Sequence, residues 1–139
     1  MRNRHLFKLA ALTPFFLSIA LTMACDDDPV TPEAGVTFVV EVSGEQFRVR
    51  VSDPARIADF EARLTSGTQG VVNGPLVSGH GGFNQPWTWH LDPDQVATAD
   101  MAIEVCDGRP SMVQADTTYW LGTVKRFCPW GAKVVKRES

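Results

Sequence analysis

Cys106 and Cys128 constrain this chain more than any other pair of residues. They bracket residues 107–127, and the stretch from Pro86 to Trp130 around them holds all four tryptophans and the only tyrosine. In an oxidising compartment two such thiols are expected to join, and closing a loop of this length stabilises a fold by about 3 kcal/mol. Domains of this size have total stabilities of about 5–15 kcal/mol, so the staple is a large share. The competing reading, a redox pair or metal thiolates, lacks C-x-x-C spacing and accompanying histidines.

The other end of the chain supplies the compartment. Arg2, Arg4 and Lys8 precede an apolar run from Leu9 to Ala24, interrupted by Thr13, Pro14, Ser18 and Thr22. That pattern predicts a signal peptide over residues 1–24, with Pro14 opposing a stable spanning helix. Small Ala24 stands directly before Cys25, as in bacterial lipoprotein signals, where the thiol takes a diacylglycerol and the chain is cut in front of it. Thr22 and Met23 depart from the usual pattern, and ordinary cleavage after Ala24 is the competing reading. Parity favours lipidation: it leaves Cys106 and Cys128 as an even pair, whereas a free Cys25 would be an odd exposed thiol. Residues 25–35 are acidic, contain proline and lack apolar period, as expected of a solvated tether. The expected localisation is the cell envelope, periplasmic or surface side, with the membrane contacted through a lipid on Cys25.

Removing residues 1–24 takes away three basic groups and no acidic one, so the formal charge moves from −3 to −6. A chain that acidic excludes nucleic acid as a partner, because phosphate binding needs a basic face. The basic cluster Lys133, Lys136 and Arg137 reads as a solvated edge.

Residues 36–137 read as a single globular domain. Val36, Phe38, Val40 and Val42 alternate with Thr37, Val39 and Glu41, and Phe47, Val49 and Val51 alternate with Gln46, Arg48 and Arg50. These runs predict a hairpin, with a Gly44-Glu45 turn pairing Val42 with Phe47 and Glu41 with Arg48. Asp53-Pro54 then opens a helix with Ile57, Phe60 and Leu64 on one face, Asp59 and Arg63 paired on another, and Gly67 as its stop. Asn73-Gly74-Pro75 predicts a break between short strands or an edge strand. Trp87, Trp89 and Leu91 share a strand face, Asp92 to Gln95 starts a helical turn, and Met101, Ile103 and Val105 alternate into a strand ending at Cys106. Ser111 and Gln114 have capping-box spacing. Residues 124–128 and 132–135 read as two short strands. Helices and strands without regular alternation give an α+β class: a small, mainly antiparallel sheet, one main amphipathic helix, short helical turns and one disulfide.

Candidate chemistry is sparse. His80, His90 and Asp92 form the one constellation with metal-ligand types, although Asp92 also serves as a helix cap and His80 lies in the glycine-rich loop around it. Asp26-Asp27-Asp28 and Asp92-Pro93-Asp94 lack a calcium loop's alternating oxygens. No G-x-S-x-G elbow is present, no nucleotide-binding glycine motif opens a helix, and no cofactor is implied. The candidate binding surface is His80, Phe83, Asn84, Arg109, Tyr119, Trp120 and Trp130, since aromatics in loops combine a large apolar face with a polar handle.

The motifs W-x-W-H-L-D-P at Trp87–Pro93, C-D-G-R-P-S at Cys106–Ser111 and F-C-P-W at Phe127–Trp130 resemble a family of small secreted domains, the N-terminal domain of a calmodulin-binding protein. The resemblance covers about Val36 to Val135 and brings no catalytic residue or substrate. An exported lipoprotein would not meet cytosolic calmodulin.

The sequence therefore points to a non-enzymatic, lipid-anchored binding domain at the bacterial envelope, with an unknown protein or small molecule as ligand. One alternative is a small metal-binding protein or metal-dependent enzyme using His80, His90 and Asp92. The other is an envelope-borne protease inhibitor presenting the disulfide-braced loop.

Overall fold

A computed structural model describes residues 35–138. The expected signal peptide, Cys25 and all of the tether except Gly35 lie outside the described residues.

The first two strands, β1 (Val36–Val42) and β2 (Glu45–Val51), form the expected hairpin in a different register. Val42 faces Glu45 and Val40 faces Phe47, a shift of two residues from the predicted pairing. The turn is Ser43-Gly44, both with positive φ, which is the conformation of a tight two-residue hairpin turn. A shift of two leaves every side chain on its predicted face, so the alternation of apolar residues could not detect it. Phe38, Val40, Val42, Phe47, Val49 and Val51 all point into the core.

Helix α1 (Pro54–Ser66) begins and ends where its caps dictate. The Asp53 carboxylate accepts the Arg56 backbone N–H at 2.9 Å, and Gly67, left-handed, donates its N–H to the Arg63 carbonyl. Phe60 is fully buried and its ring stacks on Phe38 at 5.1 Å. The expected Asp59–Arg63 pair is replaced by a longer-range one: Arg63 reaches Asp100 at 2.8 Å.

The next strand, β3 (Gly70–Ser78), runs unbroken through Asn73-Gly74-Pro75, contrary to expectation. It is the spine of the sheet. Along one side run β4 (Trp89–Leu91), opposite Leu76–Ser78, and β5 (Ala97–Ala99), opposite Val71–Asn73. Along the other run β6 (Arg126–Phe127) and the start of β7 (Trp130–Glu138), which continues onward against β1. The Pro75 carbonyl accepts from Asp92 N, so its missing N–H faces the side where the chain leaves the sheet between β4 and β5. The break signalled by Asn73-Gly74-Pro75 thus falls in the neighbouring strands and not in β3 itself.

Among the described residues these seven strands form one antiparallel sheet, with β2-β1-β7-β3-β4 as its main path. The short helix α2 (Pro110–Ala115) and the helical turns at Thr117–Tyr119 and Trp120–Val124 fill most of the interval between the cysteines. The core centres on aromatic packing: Phe47, Trp89 and Trp120 each meet Phe127 edge-on, with ring centroids 5.3–5.9 Å apart. The architecture is α+β, with a mainly antiparallel sheet, few helices and a Cys106–Cys128 disulfide.

Candidate functional site

The loop between β3 and β4 carries His80, Phe83 and Asn84, and the structure divides them. Asn84 is fully buried (0% exposed), the one buried polar residue among those described. Its Oδ1 accepts the Arg48 backbone N–H and its Nδ2 donates to the Trp89 carbonyl, each at 2.7 Å. Arg48 lies on β2 and Trp89 on β4, the two ends of the sheet's main path. A single amide therefore bridges both edges of a sheet that has curled round towards closure. Phe83 is also buried, edge-on to His90 and beneath the Arg50 guanidinium, 4.8 Å from its ring centre. Of the three, only His80 faces solvent.

The metal constellation does not converge. His80 Nδ1 accepts from Gly82 N at 2.9 Å, and His90 Nδ1 lies 2.6 Å from the Gly79 carbonyl, which it meets as a donor. Both Asp92 oxygens are occupied locally, one by Asp94 N and the other by Gln95 Nε2, as a helical cap requires. Among the described residues no group of three or more His, Cys, Asp or Glu side chains is arranged to hold a metal.

Between the cysteines the chain is largely helical, which is unlike an extended inhibitory loop. Glu45, next to the hairpin turn, caps α2 from outside: its carboxylate accepts the Ser111 backbone N–H at 2.8 Å and the Ser111 hydroxyl at 2.7 Å. The hydroxyl bond from Ser111, opposed by partial burial and aided by the N–H bond and by Arg109, holds the Glu45 carboxyl below its ordinary range. Arg109 and Tyr119 are exposed, whereas Trp120 is buried against Phe127 with its six-membered ring beside Gly108.

Trp130, at the start of β7, is 45% exposed. It sits opposite Val71, near the beginning of β3, whereas His80 follows the far end. At about 3.3 Å per residue, roughly 25 Å separates the two ends. The seven predicted surface residues do not form one patch.

A different set gathers around Trp130. The segment 101–105 is not the expected strand: it runs irregularly into a 3₁₀ turn at Glu104–Cys106. Its alternating apolar side chains are all exposed, Met101 by 84%, Ile103 by 67% and Val105 by 63%. The disulfide, the Cys128 N to Cys106 O bond at 2.8 Å and the Trp130 N to Asp107 Oδ1 bond at 2.8 Å clamp this segment beside the β6–β7 junction. Met101 and Trp130 form opposite lips of a shallow cleft of about 250 Å³, floored by Gly70 and Val71 and bounded by Gln69, Asp100 and Gly131. A side chain on Gly70 would collide with Arg63 Nη1, so glycine there lets the guanidinium pack close behind the floor while Nη2 holds Asp100. Such a cleft can seat one apolar or flat group, with a carboxylate at its edge. The Asp-Met-Ala-Ile-Glu-Val run was the available signal for this face. Its alternation imitates a half-buried strand, and only the tertiary placement reveals it as a surface ridge.

Residues 33–139 match the family model for the N-terminal domain of a calmodulin-binding protein. The chain belongs to that family. The match spans all of β1 to β7, so the family's N-terminal domain here comprises the whole sheet, the disulfide and the Met101–Trp130 face. No curated protein and no solved structure matches the chain.

Proposed function

We propose that the chain is a non-enzymatic interaction domain, exported and held at the bacterial cell envelope by a lipid on Cys25, and that it binds its partner through the Met101–Trp130 face. One observation carries the binding reading. Four large apolar side chains, Met101, Ile103, Val105 and Trp130, stand exposed on segments clamped together by a disulfide and two backbone hydrogen bonds. Exposing such a cluster to water is unfavourable, and rigid apolar clusters with aromatic members are what protein contacts use as anchors. The lipoprotein-type signal and the acidic segment after Cys25 support the anchoring reading.

Two experiments test the two halves. A photoreactive amino acid placed at Ile103 in living cells should yield a discrete adduct with a second protein, and the same group at Val77 should not. Adducts of equal yield at both positions, or none at Ile103, would remove the binding face. Separately, Cys25→Ser should release the chain from the membrane fraction; unchanged sedimentation with membranes would refute the lipid anchor.

A further inference from the structure

The charges around the apolar face narrow its partner, and we propose that it recognises a basic segment of another protein, a short stretch in which lysine or arginine alternates with apolar residues. This rests on the interaction reading above. Asp100, Glu104 and Asp107 interleave with Met101, Ile103 and Val105 along one exposed run. Glu104 makes no salt bridge among the described residues, and the Asp100 carboxylate is almost fully exposed although Arg63 holds one of its oxygens. Exposed pairs of that kind are weak, so the Asp100 carboxylate stays open to a second cation. The other basic group nearby, Lys133, lies over Gly67 at the end of α1. A cation entering the cleft would meet the Asp100 carboxylate at its edge and the half-exposed Trp130 ring at its lip, a pairing that favours lysine or arginine. Apolar neighbours on the same segment would cover Ile103 and Val105.

The other occupants are disfavoured by the same charges. Two copies meeting face to face would oppose their own carboxylates. The acidic segment 26–33 of this chain carries the same sign, and β1 starts from Gly35 at the end remote from Trp130, since Glu41 and not Val36 lies opposite Lys133 of β7. An anionic lipid surface would be repelled.

The test is direct binding of the full-length chain, in detergent, to a fluorescent peptide of alternating lysine and leucine. A glutamate–leucine peptide and a lysine–serine peptide serve as comparisons. The lysine–leucine peptide should bind best, with affinity falling about tenfold or more for Trp130→Ala and for Ile103→Asp. Glu104→Lys should weaken binding, and Val77→Ala should leave it unchanged. All these side chains are exposed, so the variants should melt with the parent, and Ile103→Asp stands in should Trp130→Ala fold poorly. Equal binding of the glutamate–leucine peptide would overturn the basic partner while leaving an apolar binding face intact. Equal binding of lysine–serine would reduce the effect to bulk charge and overturn the proposal. Affinity indifferent to both Trp130→Ala and Ile103→Asp would place the contact elsewhere and overturn it as well.

Discussion

Replacing Asn84 with alanine removes the one side chain that spans the two edges of the curled sheet, and the cost can be worked from its contacts. The Arg48 N–H and the Trp89 carbonyl each lose a partner at 2.7 Å in a site without solvent access. A buried backbone group left unpaired costs about 1–3 kcal/mol, so the two together should cost about 3 kcal/mol. For a domain of this size that lowers the melting temperature by roughly 10–20 °C. Urea unfolding followed by tryptophan fluorescence, with the disulfide intact, measures it. Asn84→Asp sharpens the test, because a carboxylate can still accept from Arg48 N but can donate to the Trp89 carbonyl only when protonated. Burial and the facing carbonyl should raise the introduced group's folded pKa above its unfolded value of about 3.9. Its penalty therefore sets in as pH rises through the unfolded value and grows until the folded value is passed, so the variant should approach the parent in acid and fall away at neutral pH. Should Asn84→Ala lose no more than an exposed control such as Thr118→Ala, or Asn84→Asp show no pH dependence relative to the parent, the bridging role would be wrong.

Three further outcomes are expected. Glu45 has a depressed folded pKa, so its stabilisation is complete above the unfolded carboxyl range of about 4.3 and is lost as pH falls through the folded value. Glu45→Gln should then cost about 1 kcal/mol at neutral pH, the size of a helix cap, with no difference from the parent in strong acid by urea titration. Replacing Cys106 and Cys128 together with serine should cost about 3 kcal/mol, read as a shift in urea midpoint that reducing agent reproduces in the parent and leaves unchanged in the variant. Phe60→Ala should cost about 3–5 kcal/mol by the same assay, whereas Met101→Ala should change stability by less than about 0.5 kcal/mol, separating core from contact surface.

What the sequence disclosed depended on how local each signal was. Asp53-Pro54 and Gly67 marked α1 to the residue, because a cap is a bond between near neighbours. The disulfide followed from parity and redox compartment. Strand identity was legible in the hairpin, yet its register was not, since alternation repeats every two residues and the Ser43-Gly44 turn depends on backbone twist. Pro75 was misleading because its missing N–H is harmless where the adjoining strand has left the sheet. At the site the failure was sharper: Asn84 was expected on the surface because it follows glycines in a loop, while its amide lies inside, bound to strands far away in sequence. Met101, Ile103 and Val105 had the period of a strand, and nothing local says that the face they share is left uncovered.

The position of β7 bears on when this domain can form. It is the last strand of the described chain, yet it lies between β1 and β3, and the hairpin at the beginning has no ladder to the rest of the sheet without it. A polypeptide threaded out residue by residue must therefore wait, with its first strands made and unmated, until residues 130–138 arrive to zip the two halves. Assembly is deferred to the end of delivery, and a clip or blunt fusion near the last strand would be felt in the middle of the sheet rather than at its margin.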